Sequence, residues 1–145
     1  MQFHGVRIVV HMIGMMWVGG WLVAAGNVHW LGDYDAALMQ AQRTHKSLMV
    51  LVVRGQCSRC RDVIRTAFMD RPYVAQLNRA FVPVIVTYGH QDRFPNEMYF
   101  SPELPALFFV DSRTEVFAAP TLVGRQIDAE HIQSTLRRIA HTLSR

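Results

Sequence analysis

Hydrophobic and polar positions change rhythm several times along this 145-residue chain, and each change marks an element. From Ile8 to Ala25 the sequence is almost unbroken apolar, with no polar face. From Asp33 onward apolar positions fall into helical or strand periods. Asp33 is a capping acid, and Tyr34, Ala37, Leu38 and Ala41 follow at three- and four-residue spacing, which predicts an amphipathic helix over 33–46. The continuous apolar run of 47–53 has no alternation, the pattern of a strand buried on both faces and therefore central in its sheet. Cys60, Val63, Ile64, Ala67 and Phe68 return to the helical period. Asp70-Arg71-Pro72 breaks that pattern; a short helical piece over 73–79 then leads into a second strand over 81–87, where Pro83 suits the strand's start or an edge.

Residues 88–102 are polar and irregular, the one long loop. Beyond it, strand-like segments at 104–111 and 115–119, apolar apart from Asp111 and Glu115, are joined by a short turn, Asp111 to Thr114, which predicts an antiparallel hairpin. Asp128 caps a last helix whose Ile132, Leu136, Ile139 and Leu143 form one apolar stripe. A strand–helix–strand unit makes a right-handed parallel crossover, and the hairpin adds two antiparallel strands. The expected architecture is α/β: a mixed four-stranded sheet flanked by helices, one domain over 31–145, with no internal repeat.

Composition narrows the function. Half the residues are hydrophobic, enough to bury a core without extra staples. The net charge of +4 is spread along the chain, with no basic tract or aromatic-basic interleaving, so no nucleic-acid partner is expected. His90 and Asp92 lack further ligands at a matching interval, so the loop is expected to bind no metal. No long apolar surface helix suggests an obligate dimer, and a monomer is expected.

The apolar segment of residues 8–25 is an export signal or a membrane anchor. Small residues at Val23-Ala24-Ala25 and Ala24-Ala25-Gly26 suit cleavage, giving a leader over 1–26, while the length is close to the minimum that spans a bilayer. With Arg7 as its nearby fixed positive charge, the amino end stays inside and the domain is delivered outside, to a periplasm. There, paired thiols cycle against disulfides.

The chain has two cysteines, and they stand together as Cys57-Ser58-Arg59-Cys60, after the first strand and at the opening of a helix. Cys60 begins the apolar stripe and should face inward. Cys57 precedes the stripe in the capping region and is the more exposed thiol. Helix N-termini favour a thiolate over a thiol, and Arg59 and Arg61 add positive charge, so both would depress the pKa of Cys57. Cys57 is then the attacking sulfur and Cys60 the resolving one, with Arg59 and Arg61 as tuning residues. Two other readings stay open: the pair locks the helix start as a structural disulfide in a binding or adaptor module, or the thiolates hold a soft metal in a metal- or haem-handling chaperone. Arg61 after Cys60 removes the haem-attachment pattern CxxCH.

The element order, with CxxC after the first strand and Pro105 before the third, resembles the thioredoxin superfamily. The run Phe68-Met-Asp70-Arg-Pro-Tyr-Val74-Ala-Gln-Leu77-Asn78-Arg-Ala-Phe81-Val82-Pro83-Val84 is similar to a pattern that follows the active-site helix in certain thioredoxin-like proteins. The resemblance implies a thioredoxin-like fold and a cis-proline at Pro105 that faces the cysteines, with Leu104 offering backbone hydrogen bonds to an extended substrate. It also implies a thiol–disulfide oxidoreductase acting on protein thiols and disulfides, with a membrane or periplasmic redox partner and no cofactor beyond the Cys57–Cys60 disulfide. Two departures stand out: Gln56 replaces the tryptophan usual before the first cysteine, and Leu51 replaces a buried acid. Without that acid, Cys60 needs another proton acceptor.

Overall fold

The computed structural model describes residues 26–89 and 93–143. The apolar segment of residues 8–25, Arg7, His90 and Asp92 lie outside the described residues.

Helix α1 (Tyr34–Thr44) begins where Asp33 accepts a hydrogen bond from the Ala36 amide, 2.8 Å away. It ends at His45, a left-handed residue whose N–H donates back into the last turn. Strand β1 (Ser47–Arg54) follows, then α2 (Ser58–Phe68), α3 (Val74–Ala80) and β2 (Phe81–Tyr88). After the long loop come β3 (Ala106–Val110), β4 (Leu122–Val123), a 3-10 turn at Gly124–Gln126 and α4 (Ala129–Leu143). The sheet order is β2-β1-β3-β4, with β1 parallel to β2 and antiparallel to β3. The expected mixed four-stranded sheet is therefore present, and β1 is one of its two inner strands.

Strand geometry sorts the core into two halves, because successive side chains point to opposite faces. Leu48, Val50 and Val52 of β1 pack with Val82, Val84 and Val86 of β2 under Tyr34, Ala37 and Ala41 of α1. Met49, Leu51 and Val53 pack on the other side with Cys60, Val63 and Phe68 of α2 and with Ile132, Leu136 and Ile139 of α4. Burial of both faces explains why β1 reads as a run without alternation. Pro83 sits in β2, an edge strand, and the edge is partly covered: Leu31 donates to the Pro83 carbonyl and accepts from the Ile85 amide, both at 2.9 Å.

The fourth strand is not where the apolar pattern put it. Residues 115–119 do turn back beside β3, but they contribute a single bridge, Val110 with Phe117. The paired strand is Leu122–Val123, opposite Leu107 and Ala106. Between the Val110–Phe117 bridge and the Leu107–Leu122 pair, three residues of advance along β3 are matched by five on the returning chain. Pro120, which has no N–H to give a ladder, lies in that excess. The long loop also differs from a purely polar surface segment. Tyr99 is wholly buried, its ring against Phe108 and its hydroxyl 2.9 Å from that of Tyr34. Burial and this hydroxyl pair hold the Tyr99 phenol far above its usual pKa.

Candidate functional site

The register of the sheet decides what meets at its C-terminal end. Strand β1 ends at Arg54 and releases the chain through Gly55 and Gln56 into α2. Gln56 takes a left-handed conformation, φ 55°, which swings the chain from the strand to the start of the helix. Because β3 runs antiparallel to β1 with Ala106 opposite Val52, Pro105 falls one step beyond, at the same end as the cysteines. The Leu104–Pro105 peptide bond is cis. Pro105 is buried and Leu104 half-buried. The Pro105 carbonyl accepts from the Gly124 amide at 2.8 Å, which ties the turn after β4 to the proline.

Cys57 is the N-cap of α2, and its sulfur accepts a hydrogen bond from the Cys60 amide at 3.1 Å. The two cysteines are joined in a disulfide, their Cα atoms 5.2 Å apart. Cys60 is buried, 3% exposed, within the core cluster that includes Val63 and Phe68. Cys57 is half-buried and packs against the same cluster from outside. One sulfur is therefore within reach of a partner while the other is shielded. On reduction, the Cys60 N–H and the other unpaired amides of the first helical turn would face a thiolate at Cys57, an arrangement that stabilises the anion. No acid stands in that first turn to offset it.

Arg59 and Arg61 are both exposed on α2. Arg59 reaches across to the proline turn, where its guanidinium donates to the Glu103 carboxylate at 3.4 Å. Glu103 belongs to the site geometrically, yet nothing near it in sequence singles it out; its one signal is a position two residues before Pro105. Gly124 is a second such residue. Its φ is +51°, a left-handed turn conformation that glycine adopts freely, and a Cβ there would meet the end of the exposed Glu103 side chain. Leu51, in the place of the buried acid, is fully buried among apolar neighbours. Among the described residues no group of three or more His, Cys, Asp or Glu could hold a metal ion, and no helix is long and apolar enough to cross a membrane.

A family model described as thioredoxin-like matches residues 29–112. The chain belongs to the thioredoxin-like family. Among solved structures it is similar to the DsbH oxidoreductase, with a TM-score of 0.65 at 14% identity over 96% of this chain and 95% of that one. A thioredoxin from Thermus thermophilus aligns with a TM-score of 0.59 at 21% identity, over 77% of this chain and 86% of that one. At such identities these likenesses establish the thioredoxin-like fold. A comparison with curated protein sequences finds no match.

Proposed function

We propose that this thioredoxin-like protein is an exported thiol–disulfide oxidoreductase that exchanges disulfides with protein substrates. The observation that carries the reading is the disulfide at the start of α2, with one sulfur half-exposed at the N-cap and the other buried, at the sheet end that also holds the cis Leu104–Pro105 turn. In the oxidising direction a client thiolate attacks the Cys57 sulfur, and Cys60 leaves as a thiolate that takes a proton from solvent. A second client thiol then attacks the client sulfur of the mixed disulfide and releases Cys57 as the stabilised thiolate. The client loses two electrons and gains a disulfide; the protein takes up those electrons as its dithiol. The reverse sequence reduces a client disulfide. The disulfide is the electron carrier, so no further cofactor is required.

Pro105 and Leu104, at the same end of the sheet as Cys57, would hold an extended client chain alongside it. Arg59 and Arg61 would favour the thiolate and so raise the oxidising power of the disulfide. Export to the periplasm is supported by the apolar segment of residues 8–25 with Arg7 before it. A redox partner in the membrane or periplasm would restore the starting state, and the protein would act as a monomer. A second reading, a binding module with a structural disulfide, is favoured by one observation: Leu51 supplies no carboxylate to accept the Cys60 proton.

The deciding experiment pairs two variants. Cys57→Ser should abolish exchange with a protein disulfide or a reduced unfolded protein, and Cys60→Ser should accumulate a mixed disulfide visible without reductant. Full exchange by the Cys57 variant would overturn the proposal. The redox potential separates the readings further. A value near about −120 mV describes a disulfide donor, and one near about −270 mV a reductant. A value far below both describes the structural disulfide. A fused reporter that works only outside the cytoplasm tests export.

A further inference from the structure

Three separate segments meet the half-exposed acid, Glu103, at the proline turn. Its backbone is bracketed by Ser101, whose hydroxyl donates to the Glu103 carbonyl at 2.7 Å. Its carboxylate lies where a side chain on residue 124 would have to go, and Gly124 is itself bonded to Pro105. Its charge meets Arg59, the residue just before Cys60. The other charged groups on the segments that meet here are Arg54 at the end of β1, Arg61, Asp62 and Arg65 on α2, Arg125 after β4, and Arg93 and Glu97 on the loop that carries Glu103. Asp62 is engaged by Arg65 at 2.9 Å. Glu103 is the acid that Arg59 meets.

We propose that Glu103 is a positioning residue that sets the oxidising power of the Cys57–Cys60 disulfide by competing with the Cys57 thiolate for Arg59. The proposal rests on the reading of Cys57 as the reacting sulfur. In the disulfide both sulfurs are neutral, and the guanidinium pairs with Glu103. Reduction by two glutathione thiols breaks the protein S–S bond, forms the glutathione disulfide, and passes two electrons to the protein. Cys57 then stays as a thiolate, its proton in solvent, and a second anion appears on the same helical turn as Arg59. Both side chains of the pair are more than half exposed, 58% and 51%, so the pair is weak enough for the new anion to draw the guanidinium away. Part of the stabilisation that Arg59 can give the thiolate is therefore spent in leaving Glu103. Sequence alone assigns Arg59 as a free tuning charge; the structure makes it a shared one.

A double-mutant cycle on the full-length chain tests this with no client present, so its outcome is independent of whether the protein proves to be an enzyme. The variants are Glu103→Gln, Arg59→Gln and the pair together. Each is read by the ultraviolet absorbance of the Cys57 thiolate against pH and by the equilibrium constant with glutathione. Glu103→Gln should lower the Cys57 pKa and make the disulfide about two- to fivefold more readily reduced by glutathione, the size expected of an exposed ion pair. Arg59→Gln should raise that pKa, and adding Glu103→Gln to it should change nothing further. An equal shift on removing Glu103 with and without Arg59 would overturn the proposal, since the carboxylate would then act directly on the sulfur. No shift, or a rise, in the single Glu103 variant would overturn it too.

Discussion

The two ends of the central sheet each pass the chain from a strand into a turn, and they use polar residues in opposite ways. At the end where β3 stops, the polar groups of Asp111 and Ser112 are committed. Asp111 accepts from the Arg113 and Thr114 amides at 2.9 and 3.0 Å, and its carbonyl takes the Glu115 amide at 2.8 Å. The buried Ser112 hydroxyl donates to the Lys46 carbonyl at 2.6 Å, while Gln42 reaches the Ser112 carbonyl at 3.0 Å. At the end where β1 stops, the sulfur of Cys57 is half-exposed, the first turn of α2 carries no acid, and the cross-turn ion pair is long and solvated. Strand β3 spans only Ala106–Val110, about 17 Å of extended chain, so the two turns share one rigid frame. The difference separates stability from reactivity: one turn fastens the sheet, and the other keeps groups available for chemistry.

Substitutions at the two ends should therefore fail in different assays. The largest effect belongs to Cys57→Ser, which should reduce client exchange to background while the fold survives. Closing a loop this short stabilises by about 2 kcal/mol, a modest part of a domain's stability. A urea midpoint taken beside the exchange rate checks both halves. Loss of folding would erase the distinction between the ends.

Next in size is Ser112→Ala at the opposite turn. It removes a buried donor and leaves the Lys46 carbonyl without its short bond, a loss of about 1–3 kcal/mol. The urea midpoint should fall, and the glutathione equilibrium constant of the disulfide should stay at the wild-type value. A shift in that constant would mean that the fastening turn also tunes the sulfur, and the comparison would have to be abandoned.

Local pattern made most of this architecture legible, and the exceptions share a physical cause. Strand β1 is readable because burial on both faces leaves it apolar throughout, and α2 because Cys60, Val63, Ala67 and Phe68 share one buried face. The CxxC spacing is readable for the same reason, since both partners lie within one helical turn. Strand β4 has two residues, too few to carry a period, and its pairing is set by β3 and the Gly124–Pro105 bond. The apolar residues 116–119 imitate a strand more convincingly than the strand itself. Tyr99 shares its loop with Phe94 and Phe100, and nothing local marks it for the deep burial given by partners distant in sequence such as Tyr34. The Arg59–Glu103 pair joins positions 44 apart, and no local rhythm announces such a contact.

The smallest expected effect tests the charge in the fastening turn. The amides of Thr114 and then Arg113 hold the Asp111 carboxyl below its usual pKa. A carboxyl depressed in the folded state binds protons more readily when unfolded. Its contribution to stability is therefore complete above the ordinary Asp value of about 3.9 and fades as pH falls through the lower folded value. Asp111→Asn keeps an oxygen that can accept the same two amides but removes the charge. The variant should unfold at slightly lower urea than wild type at pH 7, and the two midpoints should converge in acid, well below about pH 3.9. A gap that persists unchanged into acid would assign the turn's stability to hydrogen-bond geometry alone. Closure of the gap would show that even the fastening end depends on a charge, held fixed by the backbone amides that close its turn, whereas the charges at the cysteine end are held loosely enough to move.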